Sequence, residues 1–117
     1  CVMDPWYGLG SGDMLEVAHM GLHVAQMTGQ AAMRNCFAAV TENPARILQL
    51  DGYGLAPGCN ADLVVLQAAD PVEAIRVRAT RLLVLRRGKV IAETPAQAAR
   101  LNLPGRPENA DFLGASR

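Results

Sequence analysis

Hydrophobic positions are distributed differently in the two parts of this 117-residue chain. Residues 13–28 read as a helix, with Ser11 or Asp13 placed to cap its first free N–H groups and Gly29 placed to stop it. Its apolar residues are Met14, Leu15, Val17, Ala18, Met20, Leu22, Val24, Ala25 and Met27, which cover nearly the whole circumference. A helix that is apolar all round is covered on more than one side. That demand is hard to meet inside so short a chain and easier to meet in a larger body or at a subunit interface. Residues 30–41 predict a second helix, broken at Glu42-Asn43-Pro44 because the residue before proline disfavours the helical region. Pro44 suits the first turn of a short third helix, PARILQL, ending near Asp51-Gly52.

Beyond Gly54 the period changes. Residues 61–66, ADLVVL, read as a buried strand. Asp70-Pro71 opens a connector, and the alternation of apolar and basic residues over 75–79 predicts a half-exposed strand. Arg81–Arg86, the tight turn Arg87-Gly88 and residues 90–92 predict a hairpin. A short helix is expected over 95–103, and 104–117 read as a tail. Residues 1–12 form a Gly- and Pro-punctuated loop on which a Trp6-Tyr7 pair spends scarce aromatic residues. The organisation is therefore a helical part, 1–51, a set of strands, 52–94, and a short helix with a tail, 95–117.

Composition narrows the function classes. Eleven basic and eleven acidic side chains cancel, so charge alone gives no reason for a nucleic-acid or anionic-membrane partner. Arg76, Arg78, Arg81, Arg86, Arg87 and Lys89 do cluster, but with no aromatic residue among them they read as solvated strand edges and turns. Three cysteines without a CxxC spacing suggest neither a disulfide scaffold nor a zinc ribbon and fit a reducing cytoplasm. No apolar run reaches the roughly 18 residues needed to span a bilayer, and no secretory signal is visible. The chain begins at Cys1. It reads as a segment of something longer, in preference to a lipid-modified cysteine or an N-terminal cysteine nucleophile.

His19 and His23, the two histidines, lie four apart on one helical face, with Glu16 three residues before His19. Zinc-binding helices of the zincin type need Glu directly after the first His, where this chain has Met20. Di-iron bundles need several Glu-x-x-His helices, and here there is one. Both histidines are therefore expected to be structural rather than metal ligands. Ser11 lacks the nucleophile-elbow pattern, and Gly8, Gly10 and Gly12 do not follow a strand as a dinucleotide loop would. No complete active site is expected within these residues.

The loop VMDPWYGLGSGDML and the helix behind it, MLEVAHMGLHVAQMTG, resemble cytosine deaminases of the metal-dependent amidohydrolase superfamily. TENPARILQLDGYGLAPGCNADLVVL resembles the general C-terminal signature of that superfamily, and RLLVLRRGKVIAE its closing hairpin. Together these cover roughly residues 1–95. The resemblance implies an α/β fold: the C-terminal end of a (β/α)8 TIM-like barrel, followed by strands of a small β-sandwich whose other strands come from the missing N-terminal part of the same enzyme. It implies a cytoplasmic hydrolase of pyrimidine metabolism that deaminates cytosine or a related amino-heterocycle, with this segment expected to be inactive alone. In that family an iron or zinc ion activates a water that attacks the ring carbon bearing the amine. The metal-binding aspartate should precede Cys1, and Asp4 stands in the wrong place to be that ligand.

Carried over residue by residue, Trp6 matches the aromatic lining the pyrimidine pocket, and an anchor in the loop core is its alternative role. Cys1 stands where family members often carry a second acidic residue beside the pocket. His19 and His23 match family histidines that hold no metal. The expected partners are a small amino-heterocycle, the rest of the enzyme and further copies of it. Hydrolysis of another cyclic C–N bond, in a triazine or cyclic amide, and an independent scaffold or binding domain are the alternatives.

Overall fold

The computed structural model describes residues 5, 6, 8–106 and 108. Four helices and three strands follow in the order α1 (Met14–Val24), α2 (Gln30–Ala39), α3 (Glu42–Ile47), β1 (Leu63–Leu66), α4 (Pro71–Val77), β2 (Arg81–Arg86) and β3 (Lys89–Glu93). Asp13, and not Ser11, caps α1: its carboxylate accepts from the Leu15 N–H at 2.7 Å and the Glu16 N–H at 3.4 Å. The helix ends at Val24, four residues short of the expected end at residue 28, and Gln26 enters the left-handed region just beyond it. Gly29 therefore stops nothing; it is the residue that leads into α2. The third helix starts at Glu42, two residues before Pro44, which still falls within the first turn where its missing N–H is harmless.

The largest departure from the sequence reading is at residues 71–79. The expected strand over 75–79 is the second half of α4 and its exit. Asp70 accepts from the Glu73 N–H at 2.9 Å, Glu73 reaches back to the Ala69 N–H at 2.7 Å, and Pro71 stands in the first helical turn. These are complete helix-start signals. Arg78, in the left-handed region, ends the helix, and Ala74, Ile75 and Ala79 are buried.

The sheet is antiparallel in the order β1-β2-β3, with bulges at Val65/Leu66 and Val84/Leu85. Positive φ at both Arg87 and Gly88 gives the turn whose twist matches a right-handed hairpin. Asp62 accepts from the Arg87 N–H at 2.7 Å and fastens that turn to the start of β1. Before β1, Gly52 sits at φ +66°, where a Cβ would lie 2.6 Å from Asn60 Nδ2. The close approach exists because Asn60 closes the loop, donating from its backbone to Gly52 O at 2.7 Å and from its side chain to Asp51 O at 2.9 Å. No helix forms over 95–103. The Gln67 side chain pairs with both the N–H and the carbonyl of Gln97, at 2.9 and 2.6 Å, and holds that stretch extended.

The core is narrow. Leu15, Ala18 and Leu22 form one stripe of α1 against Ile75, with Met27, Met33, Phe37, Val40 and Leu66 packed around them. The opposite α1 stripe of Met14, Val17, Met20 and Val24 is exposed, as are Val64 and Val65 of β1 and the whole of β3. The accessible surface is 9555 Å², against about 6,200 Å² for a folded monomer of this mass. The radius of gyration is 17.0 Å, against about 13 Å. Arg81 ties the sheet to the helices. Its guanidinium donates to both Asp13 oxygens, one at 2.6 Å, so the α1 cap is also the anion of the ion pair. The Arg81 hydrogen bonds, outweighing partial burial, lower the Asp13 carboxyl to about 2, and Asp13 in turn holds Arg81 above its ordinary value.

Two outcomes follow from this packing. Ile75→Ala, at a site with no exposure, is expected to cost about 2–5 kcal/mol in denaturant unfolding, whereas Val77→Ala at the exposed end of α4 costs well under that. Asp13→Asn removes the ion pair with Arg81 while leaving an oxygen that can still cap the helix, costing about 1 kcal/mol at neutral pH. Because the folded-state pKa of Asp13 is depressed, its contribution is full above the ordinary carboxylate value and fades as pH falls through about 2. The stability gap between wild type and Asp13→Asn should therefore close in acid, as read from thermal midpoints between pH 7 and pH 2.

Candidate functional site

The loop that precedes α1 displays its aromatic side chain outward. Trp6 is 97% exposed and Leu9 81%. Gly12, at φ +75°, turns the chain into the Asp13 cap, so the end of the loop is set by the same carboxylate that holds Arg81. Ser11 donates to the Glu16 carboxylate, which turns Glu16 back toward the loop. Cys1 and Asp4 lie outside the described residues.

The histidine pair sits elsewhere. His19 Nδ1 lies 3.0 Å from the Ile75 carbonyl, and His23 Nε2 lies 3.2 Å from His19 Nε2. The rings meet edge-on with centroids 4.7 Å apart. Both line a cleft of about 570 Å³ with Leu22, Met27, Met33 and Arg76; Trp6 is not part of its lining. Arg76 is ion-paired with Glu73 at 3.6 Å.

Among the described residues, no three His, Cys, Asp or Glu side chains converge to hold a metal ion. The donor set that the superfamily uses for its catalytic ion does not fit these residues. Also among the described residues, no helix is long and apolar enough to cross a membrane. The structure thus brings together a presented aromatic loop, a helix cap and a sheet. The Asp13–Arg81 pair, 68 residues apart, left no trace in local pattern; only the capping half of its role could be read.

Comparison with known proteins agrees with this geometry. The amidohydrolase family model matches residues 1–92. The chain is 31% identical over 93 residues to the N-isopropylammelide isopropyl amidohydrolase of Pseudomonas sp. (strain ADP), covering 79% of this chain and 23% of that protein. The 5-methylcytosine deaminase of Klebsiella pneumoniae, solved with 5-fluorocytosine, superposes with a TM-score of 0.79 at 40% identity, over 86% of this chain and 24% of that one. The N-isopropylammelide isopropylaminohydrolase of Burkholderia multivorans superposes with a TM-score of 0.74 at 37% identity, over 79% and 24%. The chain therefore spans about a quarter of the length of these relatives. With the family model matched over most of its residues, this chain belongs to the amidohydrolase family.

Proposed function

We propose that this chain is one part of a hydrolase that deaminates cytosine or a closely related amino-heterocycle, and that its own contribution is a pocket wall and structural mass. The observation that carries the reading is the outward-facing Trp6 on a loop of a chain 40% identical to a 5-methylcytosine deaminase. A flat indole face stacks on a planar heterocycle and excludes water from one side of it. Cys1 stands where family members often carry a second acidic residue, and that departure would shift substrate preference.

The helices 14–51 are then the last helices around a (β/α)8 barrel, and the three strands one part of a composite sandwich. The exposed stripe of α1 and the open sheet edges support this, since uncovered apolar surface of this extent marks a missing neighbour. An independent scaffold domain would have to leave that surface in water. The iron or zinc that supplies an activated water in this superfamily would be held by side chains in the remaining length of the enzyme, because the described residues offer no such donor set. The reading takes the enzyme as a cytoplasmic homo-oligomer, with the second face of α1 as a candidate subunit contact. The segment alone is inactive.

A triazine reading has its own support in two relatives whose names specify N-isopropylammelide. The complete enzyme should be assayed for ammonia from cytosine and 5-methylcytosine and for isopropylamine from N-isopropylammelide. Ammonia from the pyrimidines is the expected result; isopropylamine alone would move the assignment to the triazine branch, and release from neither would end it. Trp6→Ala should lower kcat/KM about 5- to 150-fold, the loss of about 1–3 kcal/mol of stacking, while leaving the thermal midpoint unchanged.

A further inference from the structure

The Asp13 carboxylate is held more firmly than helix capping alone requires. One oxygen accepts from the Leu15 N–H at 2.7 Å, from the Glu16 N–H at 3.4 Å and from the Arg81 guanidinium. The other accepts from the same guanidinium at 2.6 Å. These contacts use about as many positions as a carboxylate offers, and the two-pronged contact fixes the plane of the group as well as its place. The Arg81 hydrogen bonds lower the Asp13 carboxyl to about 2, so it is an anion throughout the neutral range.

Arg81 stands on a firm base. It opens β2, the central strand, and pairs with Leu66 of β1. Ala79, just before it, is buried, and the Thr80 carbonyl accepts from the Gln67 N–H at 2.9 Å. On the loop side, Gly12 at φ +75° takes a conformation that side chains disfavour, so the chain turns immediately before Asp13. The Ser11 hydroxyl donates to the Glu16 carboxylate, which ties the last residues of the loop to the first turn of α1. A shift of the Asp13 carboxylate therefore shifts the root of the loop that carries Trp6.

We propose that Arg81 is a positioning residue for substrate binding, holding the Trp6 loop in place through the Asp13 carboxylate. The proposal rests on the reading of Trp6 as a pocket wall. Arg81 touches no substrate; it acts across the contact between β2 and the cap of α1. That contact lies within this chain and needs no access from solvent. A wall that stacks on a flat ring holds the ground state and the transition state alike, so its displacement raises KM and leaves kcat. Lysine supplies a cation without the planar fork, so it replaces Arg81 only in part.

The test is a double-mutant cycle in the complete enzyme, using Arg81→Met, Trp6→Ala and the two combined. The substrate is whichever of cytosine, 5-methylcytosine and N-isopropylammelide the enzyme turns over. Arg81→Met should raise KM about 3- to 10-fold with kcat within about twofold of wild type. In the Trp6→Ala background it should raise KM no further. Arg81→Lys should show a smaller rise that likewise vanishes with Trp6→Ala, and it carries the test if Arg81→Met does not fold. The same KM factor in both backgrounds, including no change in either, would overturn the proposal, as would a fall in kcat at unchanged KM. The pocket reading would survive either result on the loss caused by Trp6→Ala alone. Wild-type kcat/KM in Trp6→Ala would instead remove the pocket reading, and the proposal with it.

Discussion

Ile75 is the point on which the tertiary structure converges. Its side chain has no exposure and packs against Leu15, Ala18 and Leu22 of α1, while its carbonyl orients His19. Without that contact α4, which connects β1 to β2, loses its buried anchor on α1. The second tie is Arg81 to Asp13, which joins β2 to the cap of α1 and hence to the loop bearing Trp6. A carboxylate that serves as cap and as ion-pair partner at once sets where the helix begins and how the sheet is oriented toward it. The order of dependence therefore runs from one buried isoleucine, through one ion pair, to a loop that presents an indole.

The same packing explains what the chain lacks. One stripe of α1 is buried and the other carries Met14, Val17, Met20 and Val24 in the open. Both outer strands add apolar residues to that surface, Val64 and Val65 on β1 and Val90 and Ile91 on β3. Burial of apolar side chains is the main favourable contribution to folding, so residues of this kind are retained where something covers them. In the proposed enzyme the cover is the rest of the barrel, the remaining sandwich strands and neighbouring subunits. A membership in the amidohydrolase family with a quarter of a relative's length is consistent with that arrangement.

Much of this was legible in sequence, and the failures have physical causes. The periods of α1, α2 and the hairpin were read correctly because each element's own apolar spacing determines it. The all-round hydrophobicity of α1 predicts a second covered face, and in this chain that stripe is exposed. Residues 75–79 were misread because apolar and basic side chains alternate there, whereas Asp70, Pro71 and Glu73 together carry a helix start that decided the structure. The helix expected over 95–103 lost to the Gln67 side chain, a partner 30 residues away that no local pattern reveals. Of the site residues, Trp6 could be singled out by the unusual placement of an aromatic on a Gly/Pro loop. Asp13 was legible only as a cap.

The central claim is that the uncovered apolar faces of α1, β1 and β3 are interior surfaces of a larger enzyme. Side-chain footprinting by hydroxyl radicals tests it directly, comparing this 117-residue chain with the complete enzyme at Met14, Met20, Val64 and Ile91. Strong labelling of all four in the chain alone, falling several-fold in the complete enzyme, is the predicted result. Equal labelling in both would contradict the account, because those faces would then be solvent-facing in the enzyme as well.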